Sequence, residues 1–239
     1  PDGTLLVGGS RSGRIRVWSC ADRRLVQELG DPNAPIYPGC FRADGRRLLT
    51  SDGKGKIIWL DTHTWQAVHS YTVAMGRGGG VSPDGRLGAI GTSTGTVRWL
   101  NAETGEVLAT SSDAHRHPVA GIAFSADGTQ AASVAEDGTL ALWNLSSFQP
   151  LVPPFKGHMN GAHAVAFSPD GRRLATGGGA RDSVKLWDMS THRELVTLLG
   201  QGSLFEYVAF SPDGRCLAAR NRKGELHLWR AASWEEIEA

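Results

Sequence analysis

The sequence predicts an all-β chain built from one repeated unit of four antiparallel strands. The first sign is an Asp-Gly pair that recurs at Asp2-Gly3, Asp44-Gly45, Asp84-Gly85, Asp127-Gly128, Asp170-Gly171 and Asp213-Gly214, at intervals of 42, 40, 43, 43 and 43 residues. The second is a tryptophan that follows each pair by 15 to 17 residues, at Trp18, Trp59, Trp99, Trp143, Trp187 and Trp229. The third is the pattern inside one unit, residues 157–199. Ala162–Phe167 is a short apolar run, and Ser168-Pro-Asp-Gly171 is a tight turn, because Pro presets φ and Gly accepts positive φ. Leu174–Gly177 is a second run, Val184–Trp187 alternates apolar and polar residues, and Glu194–Leu199 is a fourth strand after the turn at Thr191–Arg193. A four-stranded meander with a period of about 40–45 residues is the pattern of propeller blades, each of which needs a neighbour to cover its faces.

With strands lettered a to d from the axis outward, unit 1 starts at its a–b turn and has b at Thr4–Val7, c at Arg14–Trp18 and d near Leu25–Leu29; its strand a is absent. Unit 2 has a at Ile36–Phe41, b at Arg47–Thr50, c at Lys56–Leu60 and d at Trp65–Tyr71, and Pro38 should shorten or bulge its strand a. In unit 3 strand a would be Gly76–Val81, of which five residues in six are Gly or Arg. Such a run marks either a ligand or partner touching backbone, or crowding between blades, and crowding is the expected cause. Unit 4 has a at Val119–Phe124, b at Gln130–Ala135, c at Thr139–Trp143 and d near Phe148–Leu151, where Pro150, Pro153 and Pro154 should end it early. Unit 6 has a at Phe205–Phe210, b at Cys216–Ala219, c at Glu225–Trp229 and d at Trp234–Ile237.

These residues resemble the WD-repeat (WD-40) family of β-propellers, of the bacterial type. Gly157-His158, the Ser-Pro-Asp-Gly turn and Leu186-Trp187-Asp188 sit at that family's spacing, and the likeness runs through all six units. It implies one β-propeller domain over residues 1–239. It also implies His, Ser/Thr, Asp, Trp hydrogen-bond networks inside blades. Unit 4 offers His115, Ser133, Asp137 and Trp143; unit 5 offers His158, Thr176, Asp182 and Trp187, with Asp182 displaced by a one-residue insertion. Unit 6 carries Gln201, Ala219 and Lys223 instead, and units 1 to 3 carry Ser12, Lys54 and Thr94 at the Asp position, so these blades should rely on packing. In units 2 and 3 the order is Trp-Leu. Leu60 and Leu100 then hold the usual tryptophan position, and Trp59 and Trp99 should face the other side of their blades. A closed ring in this family often has seven blades. The chain opens on Pro1 inside a turn motif and lacks one inner strand, so it is expected to be a piece of a longer, seven-bladed protein whose first and last blades join loosely.

The charge balance, 25 Lys+Arg against 24 Asp+Glu, gives no bulk pull toward nucleic acid or membranes. No apolar run approaches the ~18 residues of a membrane span. Three cysteines, Cys20, Cys40 and Cys216, without a CxxC pair fit a reducing, cytoplasmic setting. Gly91-Thr-Ser-Thr-Gly95 matches the GxSxG pattern but lies between two strands, not before a helix, and reads as a b–c turn. His115 and His158 occupy the same place in successive repeats, which makes them structural; His117 and His163 add no metal set. No catalytic, cofactor or metal residues are expected. The function expected is a non-catalytic scaffold or sensory module that docks a protein or peptide partner. The alternatives are a cofactor-binding or enzymatic propeller, and a regulatory domain fused to a kinase or NTPase. By the resemblance, the docking face is made of b–c and d–a loops. Arg11, Lys54, Arg77, Arg116, Arg181, Arg222 and Lys223 would give it a mildly basic character suited to an acidic partner.

Overall fold

The computed structural model describes residues 3–9, 13–30, 36–42, 44–52, 54–73, 78–112, 114–179, 184–199 and 204–231. They form six antiparallel sheets, the blades of a propeller. Blade 1 is β1 (Leu5–Gly9), β2 (Ile15–Ser19) and β3 (Leu25–Leu29). Blade 2 is β4 (Tyr37–Phe41), β5 (Arg47–Ser51), β6 (Lys56–Asp61) and β7 (Ala67–Thr72). Blade 3 is β8 (Gly78–Val81), β9 (Leu87–Gly91), β10 (Val97–Asn101) and β11 (Val107–Ser111). Blade 4 is β12 (Val119–Phe124), β13 (Gln130–Ala135), β14 (Thr139–Asn144), β15 (Gln149–Pro150) and β16 (Phe155–Lys156). Blade 5 is β17 (Ala162–Phe167), β18 (Arg173–Gly178), β19 (Val184–Asp188) and β20 (Arg193–Leu198). Blade 6 is β21 (Phe205–Phe210), β22 (Cys216–Asn221) and β23 (Leu226–Arg230). The strand d expected at 234–237 lies outside the described residues.

The Ser-x-Asp-Gly turn closes through its own side chains. In blade 4 the Ser125 hydroxyl donates to Asp127 Oδ1 at 2.6 Å and accepts the Gln130 N–H at 2.9 Å, while Asp127 accepts the Thr129 N–H at 3.0 Å. Gly128 takes the positive φ of 69° that the turn demands. The same bonds recur at Ser82/Asp84, Ser168/Asp170 and Ser211/Asp213. One sequence motif thus fixes one backbone shape in four blades.

The outer strand of blade 4, β15, ends at Pro150 as expected, but the chain then returns after Pro153 and Pro154, pairing Phe155 with Leu140 and Lys156 with Thr139, a return that the sequence pattern does not predict. The prolines occupy the excursion, where no ladder donor is required. Trp65 is not in a strand; it sits in the c–d turn at φ 57°. The strand containing Pro38 carries the expected register shift, between Pro38 and Phe41.

The core lies in the joints between blades. Ala132, Leu140 and Leu142 of blade 4 meet Leu174 and Trp187 of blade 5. Ala164, Ala175 and Val184 of blade 5 meet Phe205, Val208 and Leu217 of blade 6. On the far side of blade 6, Leu226 and Leu228 are 63% and 67% exposed, and on the facing side of blade 1 Leu6 is 59% exposed. Leu142 and Leu228 hold the same register, opposite Ala132 and Ala218, yet Leu142 is 1% exposed. The pair therefore gives a matched test: Leu142→Ala should cost about 2–3 kcal/mol, and Leu228→Ala within about 0.5 kcal/mol, by urea denaturation. Equal losses would show that Leu228 is covered in solution.

Candidate docking face and blade joints

The d–a connections cross over the b–c turns of the preceding blades, so both sets of loops share one face. The Gly157 and His158 N–H groups donate to Gly138 O, the Val119 N–H donates to Thr92 O, and the Ile36 N–H donates to Gly13 O. Gly95 has a positive φ of 85°, and a Cβ there would come within 2.2 Å of His115 O, so the turn is pressed against the connection above it. Gly91–Gly95 is accordingly a b–c turn, closed by the Thr92 N–H on Thr96 O, the Gly95 N–H on Thr92 O and the Thr96 N–H on Thr92 Oγ1.

Lys54, Arg222 and Lys223 lie in b–c turns and Arg116 lies in a d–a connection; all four are exposed on this face. Arg222 Nε is 3.6 Å from Glu206 Oε1. Arg11, Arg77 and Arg181, expected on the same face, lie outside the described residues, as does Asp182.

Beneath this face blade 4 holds a polar chain of one sense. Trp143 Nε1–H donates to Ser133 Oγ at 2.9 Å, and Ser133 Oγ is 2.7 Å from His115 Nε2. His115 Nδ1 is 2.5 Å from Thr139 Oγ1, and the Thr139 hydroxyl donates to Asp137 Oδ1 at 2.6 Å. Asp137 has only acceptors, so Thr139 spends its proton there and must accept from Nδ1–H; Ser133 then donates to Nε2. His115 is the neutral Nδ1–H tautomer. Burial pushes its pKa down to about 4, against the pull of Asp137. Burial opposes ionisation of Asp137, but bonds from the Thr139 hydroxyl and N–H outweigh it and hold its pKa below the ordinary value. Thr139, which is outside the expected set of His, Ser, Asp and Trp, stands between His115 and Asp137 in this network.

Blade 5 repeats the inner half of the chain, with Trp187 Nε1–H donating to Thr176 Oγ1 at 2.8 Å and Thr176 Oγ1 2.7 Å from His158 Nε2. Blades 2, 3 and 6 add local side-chain bonds in their b–c turns. Asp52 Oδ1 accepts the Lys54 and Lys56 N–H groups, and Asn221 Oδ1 accepts those of Lys223 and Glu225. Thr92 does the same for Thr96. These residues sit at the first position of the turn, two before the expected one, and their side-chain type was the signal to find them.

The exchanged Trp-Leu order has a structural result. Leu60 pairs with Leu48 and Leu100 with Gly88, the register in which Trp187 pairs with Leu174. Trp59 and Trp99 therefore face forward. Trp59 Nε1–H donates to Ala102 O of blade 3 at 2.8 Å, and the Tyr71 hydroxyl donates to the same oxygen at 2.7 Å. Trp99 meets Trp143 edge-on at a centroid distance of 5.4 Å and stacks on Phe148 at 5.6 Å. The joint between blades 3 and 4 holds two indoles.

The joint between blades 2 and 3 instead contains a cavity of about 550 Å³. Its walls include Leu49 and Ile57 of blade 2 and Gly79, Gly88, Ile90 and Leu100 of blade 3. The glycines of β8 are also pressed on their other side: a Cβ on Gly78 would lie 2.7 Å from the Ala120–Gly121 backbone, and one on Gly80 3.0 Å from Ile122 O. Crowding between β8 and β12 is thus the local cause of Gly78 and Gly80.

Comparison with known proteins agrees with this architecture. The family model "WD domain, G-beta repeat" matches residues 1–19, 105–144 and 149–188. The chain is also similar to the mouse F-box-like/WD repeat-containing protein TBL1X, 37% identical over 71 residues, which cover 29% of this chain and 13% of that protein. The matched segments include the two blades with His–Ser/Thr–Trp bonding, and antiparallel sheets of the same order continue through the rest of the described residues, with three described strands each in blades 1 and 6: the chain is a WD-repeat β-propeller.

Proposed function

We propose that this propeller is a non-catalytic scaffold that docks an acidic protein or peptide segment on the face of b–c turns and d–a connections. Proteins of the WD-repeat family generally mediate protein–protein contacts. The observation that favours this face is the exposure of Lys54, Arg116, Arg222 and Lys223 on its loops. Exposed single ion pairs add little affinity, so the effect of these cations lies mainly in steering the encounter. Arg222 is partly engaged by Glu206 of β21, in an exposed ion pair.

The test is stopped-flow association with a synthetic Asp/Glu-rich peptide at two or more salt concentrations. Lys54→Glu combined with Arg222→Glu should slow association on the order of tenfold at low salt and flatten its salt dependence. An unchanged rate and slope in the folded double variant would remove this face from consideration.

A further inference from the structure

On one face blade 3 carries three smaller side chains than blade 5 does at the same register. Register pairs Gly79 with Ile90, as Ile122 pairs with Ser133, Val165 with Thr176 and Val208 with Ala219. It pairs Gly88 with Leu100, as Leu174 pairs with Trp187 and Leu217 with Trp229. Gly79, Gly88 and Leu100 thus stand where blades 5 and 6 carry valine, leucine and tryptophan, and where blade 4 carries Ile122, Ala131 and Trp143. All three lie on the side facing blade 2, and all three line the 550 Å³ cavity.

Packed interiors do not leave such spaces by default, since each lost contact destabilises the fold. A cavity of ~300–1,000 Å³ with a mainly apolar lining is the usual form of a small-molecule site. We infer that this joint is a binding site for an uncharged, flat, apolar small molecule of one or two fused rings. Flatness follows from the glycine wall, Gly78–Gly80, against which side chains do not project. Lack of charge follows from the lining: among the described residues it contains no charged side chain, and its polar side chains are Ser51, Cys40 and Tyr71. Tyr71 already donates to Ala102 O, and burial raises the Cys40 thiol to about 11, so it stays neutral. Gly55 of a b–c turn and Val73 of the following d–a connection line one end, so the cavity reaches the loop face. The inference does not depend on the docking proposal.

The experiment is calorimetric titration of the folded chain with indole and 2-naphthol, with naphthalene-2-sulfonate as the charged comparator. The neutral probes should bind saturably at one site, at least tenfold tighter than the sulfonate. Gly88→Leu and Leu100→Trp each return a side chain that blade 5 carries, and each should weaken the neutral probes at least tenfold while the melting temperature holds or rises. A Cβ at Gly88 meets only ordinary contacts, at 3.7 Å from the Leu100 and Ala102 Cβ atoms, so the first variant has room to fold. Methyl resonances of Ile57, Ile90 and Leu100 in the unaltered protein give a readout independent of the variants; they should shift with the neutral probes. Absence of saturable binding, equal binding by both folded variants, or shifts confined to other methyls would overturn the site.

Discussion

Truncating Trp99 or Trp143 to alanine is expected to cost about 3–5 kcal/mol in each case, and the double variant to cost less than the sum by about 0.5–3 kcal/mol. Both indoles are completely buried, so each loses its full apolar burial and leaves a cavity. They touch each other edge-on, and Trp99 also meets Phe124 at 6.3 Å and stacks on Phe148. Aromatic pairs of this geometry couple beyond their area. Trp143 carries a further loss, because its indole is the donor to Ser133, and removing it leaves that buried hydroxyl short of one partner. Trp229 is only half-buried and should cost less. Urea denaturation of the four species of this cycle is the measurement. Strict additivity would mean that the two residues stabilise separate joints, contrary to their contact.

Much of this was legible in the chain. The Asp-Gly pairs gave the blade count, because the Ser-x-Asp-Gly turn is closed by bonds among residues within five positions of one another. The inverted Trp-Leu order could be read because a one-residue slip in a strand moves a side chain to the other face. The return of the outer strand after Pro154 could not, since it depends on Phe155 finding Leu140 across the sheet. Thr139 in the histidine chain escaped notice because it looks like the first residue of an ordinary strand c. Its hydroxyl matters only once the turn at Asp137 brings it under His115. The cavity was the least visible feature. Gly79, Gly88 and Leu100 belong to three strands, and only their register puts the three smaller side chains on one face.

Acidification from pH 6.5 to about 4 should weaken the fold through His115 by about 3 kcal/mol. In the folded state its pKa is pushed down to about 4 by burial, whereas the unfolded chain titrates near the ordinary 6.5. Between those values the unfolded state binds a proton that the folded state refuses. Stability therefore falls as pH falls, at no more than about 1.4 kcal/mol per pH unit, and the loss is complete below the folded pKa. The geometry explains the refusal. A proton on Nε2 would meet the hydroxyl proton that Ser133 donates, and Ser133 cannot turn away without breaking its place between Trp143 and His115. The carboxylates of the turns titrate lower: Asp188 is held near 2 by bonds from Ser190 and Thr191, and Asp137 also lies below its ordinary value, so their losses come at more acid pH. The contrast to measure is between the unaltered protein and His115→Gln, by urea denaturation at steps from pH 7.5 to 4. The variant should start less stable at neutral pH, because Thr139 loses a donor, and should show a slope shallower by one proton between pH 6.5 and 4. His163, also shifted down by burial, is common to both proteins and cancels in the difference. Identical slopes would mean that His115 takes up its proton in the folded state, and that the one-way chain from Trp143 to Asp137 is wrong.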